Sequence, residues 1–474
     1  MNVWPKVADI AASVKKGELK AVDLVEKSFK AIKANKSFDA IISNIEDRAR
    51  ERAREVDSLV ASGKDPGKLA GVPFIAKDNF LTFSTKTTAA ANYLKGFEAP
   101  YQATAVERLE AEGAICVGKG NLDAWAHGSS TENSDFFTTK NPHDKTRVPG
   151  GSSGGSTTAV ALGLVPFALG TDTGGSIRQP AAFCGVVGYK PTYGLVSRSG
   201  IVAMASSTDV VGPISASVED AALILDVMAG RDELDSTTIK KPEKGFAQLD
   251  FDWHSKKVGV IREYMDEGLE PGVKKQITSA IDRIKKVGAT VGEIGLPSLP
   301  LALAVYYIIC PAEVSSNLAR YDGQRYGHSA KEAKDLVDSY ELAREQGFGA
   351  EAKRRIMIGT YVLSSGYYDA YYKKALQVRT KIINEFTEAF KTYDLLIGPT
   401  TPTTAFKIGA KTDDPLKMYL NDILTVAANV SGNPSISVPA GKTEGLPVGL
   451  QIIGPMRGDS EVLSAAQAFE RLSK

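Results

Sequence analysis

Residues 150–178, GGSSGGSTTAVALGLVPFALGTDTGGSIR, set two Gly/Ser turns on either side of one apolar run. Glycine has no Cβ and tolerates φ > 0, so each turn can fold tightly and bring backbone close to a ligand. A flexible Gly/Ser linker would be polar throughout. Here residues 159–169 are apolar enough to be buried. The pattern predicts a short buried helix over 157–164 and a strand over 165–169 that delivers the second turn at its end, where ligand sites of open α/β sheets lie.

The first turn, residues 150–154, fits G-x-S-x-G, the nucleophile elbow of α/β-hydrolases, with Ser152 as nucleophile. That chemistry needs a histidine downstream of the serine. The chain has four histidines, and only His254 and His328 follow the turn. Neither lies in a Gly-rich loop, and both read as surface or packing residues. A serine can take lysine as its base instead, and the candidate is Lys77. It ends the β-prone run LAGVPFIAK at 69–77 and so follows directly on a buried strand. Burial disfavours the ammonium and leaves an amine able to accept a proton. The plainer alternative is a lysine that snorkels to solvent from a strand end.

The rest of the chain reads as α/β. Val7, Ile10, Ala11 and Val14, then Val22, Val25, Phe29 and Ile32, fall at helical spacing on either side of Gly17. A charged helix is expected over 47–60, a helix over 101–112, a strand over 114–117 and a helix over 217–230. Residues 231–245 read as a polar surface excursion. A strand at 256–263, a helix at 272–286 and a strand at 289–295 resume the alternation. Segments 301–321 and 333–391 are mainly helical, residues 393–399, 435–439 and 448–454 are short strands, and Val462, Leu463, Ala466 and Phe469 mark a last helix. No linker, repeat or low-complexity run divides the chain, so one domain over 1–474 is expected.

Lys plus Arg number 57 against 56 for Asp plus Glu, a formal charge of +1 that offers polyanions no global field. Cys116, Cys184 and Cys310 lack zinc-site spacing or an even count, which fits a reduced compartment. The start, MNVWPKVADIAASVKKGELK, has no apolar core of a leader and reads as mature structure. No run of about 18 apolar residues predicts a membrane span.

GGSSGGS at 150–156 and GTDTGGSIRQPAAFCGVVGYKPTYG at 170–194 resemble the amidase signature family, whose site is a serine, a second serine and a lysine. KDNF at 77–80, GSSTENS at 128–134, YYIICPAEVSSNLARYDGQRYG at 306–327 and RRIMIGTYVLSSGYYDAYY at 354–372 resemble the branch of that family serving tRNA-dependent amidotransferases. The resemblance implies the amidase-signature fold, one mixed β-sheet covered by helices on both faces. It implies Ser176 as nucleophile, with Ser152 relaying its proton to Lys77, a cis peptide at Gly151–Ser152, and Ser153 as the alternate relay. Thr173, Gly174, Gly175 and Ser176 would form the oxyanion hole, with Asp172 and Arg178 bracing the turn as an ion pair. Tyr306, Arg355 and Asp422 would hold the head group of glutamine, with Tyr307 and Arg354 one residue away as alternates.

The implied reaction is glutamine hydrolysis that supplies ammonia for converting Glu-tRNA(Gln) to Gln-tRNA(Gln) in the cytoplasm. The implied partners are a B subunit that holds the tRNA and uses ATP and magnesium, and a small C subunit. No metal or cofactor is expected in this chain, which has no P-loop. A free-standing amidase for small amides would share Lys77, Ser152 and Ser176 but lack the glutamine-binding set, and a non-catalytic scaffold would not need the triad. Three positions depart from the family pattern: Ser84 where glycine is expected, Ala124 in place of an acid and His127 in place of methionine. For the last two the plainer account is a change of loop packing.

Overall fold

The computed structural model describes residues 4–246, 250–266 and 268–473; the first three residues of the expected N-terminal structure, and the ends of the expected 1–474 domain, lie outside that set. Among the described residues, runs of β-branched and aliphatic side chains form eleven strands: β1 (Ile41–Asn44), β2 (Pro73–Lys77), β3 (Ile115–Gly120), β4 (Phe167–Asp172), β5 (Val187–Lys190), β6 (Val210–Ser215), β7 (Lys257–Ile261), β8 (Thr290–Ile294), β9 (Leu395–Pro399), β10 (Ser435–Thr443) and β11 (Leu446–Ile453). They join one sheet in the order β1-β3-β2-β4-β6-β5-β10-β11-β9-β7-β8. The sheet is mixed: β2 runs parallel to both β3 and β4, while β4 and β6 pair antiparallel.

Both faces of the sheet are covered, as the side-chain alternation of a strand makes visible. Leu395 and Ile397 of β9 enter one core while Leu396 between them enters another, and Ile452 and Ile453 of β11 divide the same way. The first core takes the apolar stripes of helices Val7–Lys15, Ala21–Ala34, Glu46–Ala61, Val218–Met228, Pro271–Lys286 and Asp459–Arg471. The second takes helices Ala302–Asn317, Ala350–Leu363 and Lys374–Thr392. The fold is therefore α/β, one mixed sheet between helical layers. The polar stretch 231–245 carries neither helix nor strand.

Strands β1, β5 and β6, and helix Arg178–Cys184, have no counterpart in the sequence reading. β5 (VGYK) and β6 (VVGPIS) are short and interrupted by Gly188, Gly212 and Pro213, residues that speak against a strand unless its neighbours enforce it. The helix at 154–161 begins three residues before its expected start because Gly154 and Gly155 are helical; strand β4 starts and ends later than expected.

Two features of the fold reach the site directly. Helices Ala302–Asn317 and Ala350–Leu363 cross closely at Gly359, where a Cβ would stand 1.9 Å from the carbonyl of Pro311. Arg355, one turn before Gly359, and Tyr306 and Tyr307, one turn before Pro311, are thereby brought to the same junction. The second feature is the loop after β2. Ser84 there has φ +60°, the left-handed conformation that glycine adopts without strain, so the serine keeps the backbone shape its expected glycine would have given.

The segment Leu299–Arg320 is, among the described residues, long and apolar enough to cross a membrane by length and composition. The sequence reading found no such run. Half of its most apolar window is buried, and Val305, Tyr306, Ile309 and Val314 pack in the second core. The three cysteines are buried and unpaired.

Candidate active site

Lys77 closes β2, and β4 lies beside it in parallel with Ala76 opposite Leu169, so the ends of the two strands open at the same edge. Lys77 Nζ is fully buried, 2.7 Å from Ser152 Oγ and 2.9 Å from Thr171 Oγ1. Burial lowers its pKa from 10.5 to about 7, against the pull of the Asp123, Asp172 and Asp209 carboxylates. Near neutrality it is therefore shared between amine and ammonium.

Of the two adjacent serines, Ser152 meets the lysine. Ser153 turns its hydroxyl to the Thr171 carbonyl at 3.2 Å and its amide to the Ser176 carbonyl at 3.1 Å. The peptide Gly151–Ser152 is cis. There is no room for a side chain at Gly151: a Cβ would come within 2.1 Å of Asp123 Oδ2.

Ser176 follows β4 by one tight turn and is the least buried of the three, at 8% exposed. Its hydroxyl makes no hydrogen bond to Ser152 or to any other group among the described residues. The amides of Thr173, Gly174, Gly175 and Ser176 likewise donate to no described protein group, whereas the next two, Ile177 and Arg178, both donate to Asp172 Oδ2. Four consecutive free amides beside a free hydroxyl leave a concentrated donor surface at one point. The turn is fastened at its edges. Thr425 Oγ1 donates to the Gly174 carbonyl at 2.7 Å, and Thr173 Oγ1 donates to Asp209 at 2.8 Å. A Cβ on Gly175, where φ is +142°, would stand 2.2 Å from Thr425 Oγ1.

Below the turn, Asp172 and Arg178 form a fully buried ion pair at 2.9 Å. Arg178 also donates to Gln451 and Asn429, and Asn429 returns a hydrogen bond to Asp172. Burial alone would raise the Asp172 carboxyl, but Arg178, with Lys190 and Asn429, outweighs it and holds the group at about 2. The pair is therefore charged and satisfied, which leaves it a brace and not a titrating group.

Tyr306 reaches this turn from the helical side, and Arg355 and Asp422 lie close enough to Tyr306 and to each other for their charges to interact. The Tyr306 ring lies against Gly174, whose Cβ would be 2.8 Å from Tyr306 Cζ. Arg355 is 1% exposed; its Nε donates to Glu351 at 2.9 Å, and its guanidinium lies over the rings of Tyr307 and Tyr419. Asp422 is buried, and burial raises its carboxyl to about 8 against the pull of Arg355. The neighbouring alternates make other contacts. Arg354 is exposed and pairs with Glu351, while Tyr307 stacks on Tyr419 with centroids 3.9 Å apart.

Sequence reasoning missed Thr171, Asp123 and the segment around them. Thr171 accepts from both Lys77 and Asn79; its place on β4 beside β2 is the signal that parallel pairing offers. Asp123 takes the amides of Thr131 and Asn133, and burial raises its carboxyl to about 7. No sequence pattern marks it. Trp125, Ala126 and Thr131 in that loop all have φ near +60° without being glycine, a conformation that composition conceals. His254 is exposed beside Asp252 and His328 meets Gln346, both away from the site. Among the described residues no cluster of metal-binding side chains occurs.

A buried lysine bonded to one serine and a second serine beneath free amides, at the edge of a mixed sheet, define an amide-hydrolase type of site. The family model described as Amidase matches residues 23–463, and the chain belongs to that family. Within it, the chain is 52% identical over 467 residues to the A subunit of glutamyl-tRNA(Gln) amidotransferase from Geobacillus kaustophilus, covering 98% of this chain and 96% of that one. The corresponding protein of Thermoanaerobacter pseudethanolicus is 51% identical over 470 residues, with 99% and 96% covered. Among solved structures, the A subunit from Thermotoga maritima is 42% identical with a TM-score of 0.81 over 95% of this chain and 91% of that one. A bacterial aryl acylamidase of the amidase signature family is 27% identical with a TM-score of 0.87, covering 99% and 96%.

Proposed function

We propose that this chain is the glutamine-hydrolysing subunit of a tRNA-dependent amidotransferase, supplying ammonia for the conversion of Glu-tRNA(Gln) to Gln-tRNA(Gln). The observation that carries the reading is the 2.7 Å contact between buried Lys77 and Ser152 beside the free amides of the Ser176 turn. In this reading Ser176 Oγ attacks the side-chain carbonyl of glutamine, and its proton passes through Ser152 to the neutral amine of Lys77. The amides of residues 173–176 hold the oxyanion; each such donor is worth ~10²–10³ in rate. Collapse expels ammonia, which takes its proton back from the relay. Water then cleaves the γ-glutamyl ester by the same route in reverse.

Substrate choice in this reading falls to the helical layer. Arg355 pairs with the α-carboxylate, Asp422 with the α-ammonium, and Tyr306 forms a rigid wall beside the reacting carbonyl. The relatives are named as subunits, which supports work in a complex. A B subunit that binds the tRNA and uses ATP with magnesium, a small C subunit, cytoplasmic location and a single domain over 1–474 belong to the same proposal. The single sheet with strands drawn from residues 41–453 supports the last of these.

The test is Ser176→Ala in the assembled enzyme. Loss of the nucleophile of a coupled triad costs on the order of 10⁶ in turnover, so glutamine-dependent Gln-tRNA(Gln) formation should stop while free ammonia restores it. Ammonia release from glutamine near the parent rate would refute the assignment. Hydrolysis of simple aliphatic amides in preference to glutamine would favour the free-standing amidase.

A further inference from the structure

His127 is 1% exposed, and neither of its ring nitrogens has a partner among the described residues. Burying a polar atom without a hydrogen bond is unfavourable, so such a ring marks a place that something else completes. The residue lines a cavity of about 250 Å³ together with Gly128, Glu351, Arg354 and Tyr419. That volume equals roughly eight waters of bulk liquid. It therefore suits a polar ligand of amino-acid size.

The loop ties His127 to the glutamine-gripping residues. The carbonyl of Gly128, the next residue, accepts from Arg355 Nη2 at 3.4 Å, and a Cβ on Gly128 would come within 3.0 Å of the Ser152 amide. The residue that follows His127 thus touches both the segment of Ser152 and the buried guanidinium. Of the carboxylates on the cavity wall, Asp123 takes the amides of Thr131 and Asn133, Glu351 takes Arg355 and the Tyr419 hydroxyl, and Glu132 takes the Gly409 amide on one oxygen while its other oxygen has no partner among the described residues. Burial and the Arg355 charge push the imidazole well below its ordinary 6.5. It is a neutral ring with one N–H to donate.

We propose that His127 is a specificity-determining residue that donates a ring N–H to the α-carboxylate of the bound glutamine, sharing that carboxylate with Arg355. This rests on the glutaminase reading above and adds a contact that the methionine expected at this position could not make. A change of packing alone accounts for the ring's volume but leaves both nitrogens unpaired.

The test uses two truncated substrates with the full chain in a Ser176→Ala background, so that binding is read without turnover. Glutaramate keeps the carboxylate and lacks the amine; 4-aminobutanamide keeps the amine and lacks the carboxylate. The ratio of their Kd values should move roughly 10- to 100-fold against glutaramate in His127→Met, the range for a hydrogen bond to a charged group. His127→Gln, which retains an N–H donor, should recover most of it. If His127→Met does not fold, His127→Asn, with a shorter reach, reads the same ratio. A ratio that stays put in these variants overturns the His127 assignment alone. A parent that binds propanamide as tightly as glutaramate overturns the glutamine reading, and the His127 contact with it.

Discussion

The acid limb of the pH–rate profile should differ between glutamine and a small uncharged amide, and the structure gives the size of the difference. Both substrates need Lys77 as the neutral amine, and its pKa is lowered to about 7 by burial. Between pH 8 and pH 6 the neutral fraction of such a group falls about tenfold. Only glutamine needs Asp422 ionised, and burial raises that carboxyl to about 8. Its ionised fraction falls about 50-fold over the same interval. Both groups act in their deprotonated forms, so both losses run in the same direction, toward low pH. The profile of kcat/KM reports pKa values of the free enzyme. Propanamide should therefore lose about tenfold from pH 8 to pH 6 and glutamine about 500-fold, the product of the two independent ionisations. Asp422→Asn supplies the internal control, because the glutamine profile should relax to the tenfold dependence of propanamide while its overall level drops. The assay is ammonia release at subsaturating substrate in buffers of constant ionic strength. Parallel limbs for the two substrates in the parent enzyme would refute the role of Asp422. A flat limb for propanamide would mean that Lys77 does not change its protonation between pH 6 and pH 8, which would refute a pKa near 7 for it.

Lys77→Arg should be nearly as inactive as Lys77→Ala, since arginine keeps the charge but does not deprotonate in proteins; substantial glutaminase activity in the arginine variant would turn Lys77 into an electrostatic residue. Arg355→Ala and Asp422→Asn should lower kcat/KM for glutamine by roughly 30- to several-thousand-fold, the range for breaking a desolvated charge pair, and affect propanamide far less. Equal losses on both substrates would make these two residues supports of the fold. Gly175→Ala should cost at least ~10²-fold in kcat on glutamine and propanamide alike, because its Cβ would meet Thr425 Oγ1 at 2.2 Å in a turn with φ of +142°; a variant near parent kcat would show that the turn does not hold the oxyanion.

The parts of the fold that were legible in the sequence are those whose own residues insist on them. The helices at 7–15 and 21–34 announce themselves by apolar spacing, and the two Gly/Ser turns by residues that tolerate what other residues do not. β5 and β6 stayed hidden because their glycines and proline lower the local preference, and the strands exist through pairing with β4 and β10 that sequence does not display. At the site, Lys77 could be reasoned from its strand and Ser152 from its turn, there as the nucleophile; Ser176 as nucleophile and Ser152 as relay came from the resemblance alone. Tyr306, Arg355 and Asp422 could not. They lie on separate helices 49 and 67 residues apart, numbers that only resemblance connects, and for each alone a packing role is the ordinary expectation. Thr171 and Asp123 fell between these cases. They carry common residue types whose meaning depends on which strand end lies next to which loop.

The two cores divide the labour of this molecule. Lys77, Ser152 and Ser176 stand on the sheet edge, while Tyr306, Arg355 and the Asp422 segment are carried by helices that belong to the second core. The two layers meet at the Ser176 turn, where Tyr306 packs on Gly174 and Thr425 holds the Gly174 carbonyl. On the proposed function, the sheet edge carries the reaction and the helical layer beside it selects the amide, so a change of substrate is a change at the seam between the two layers.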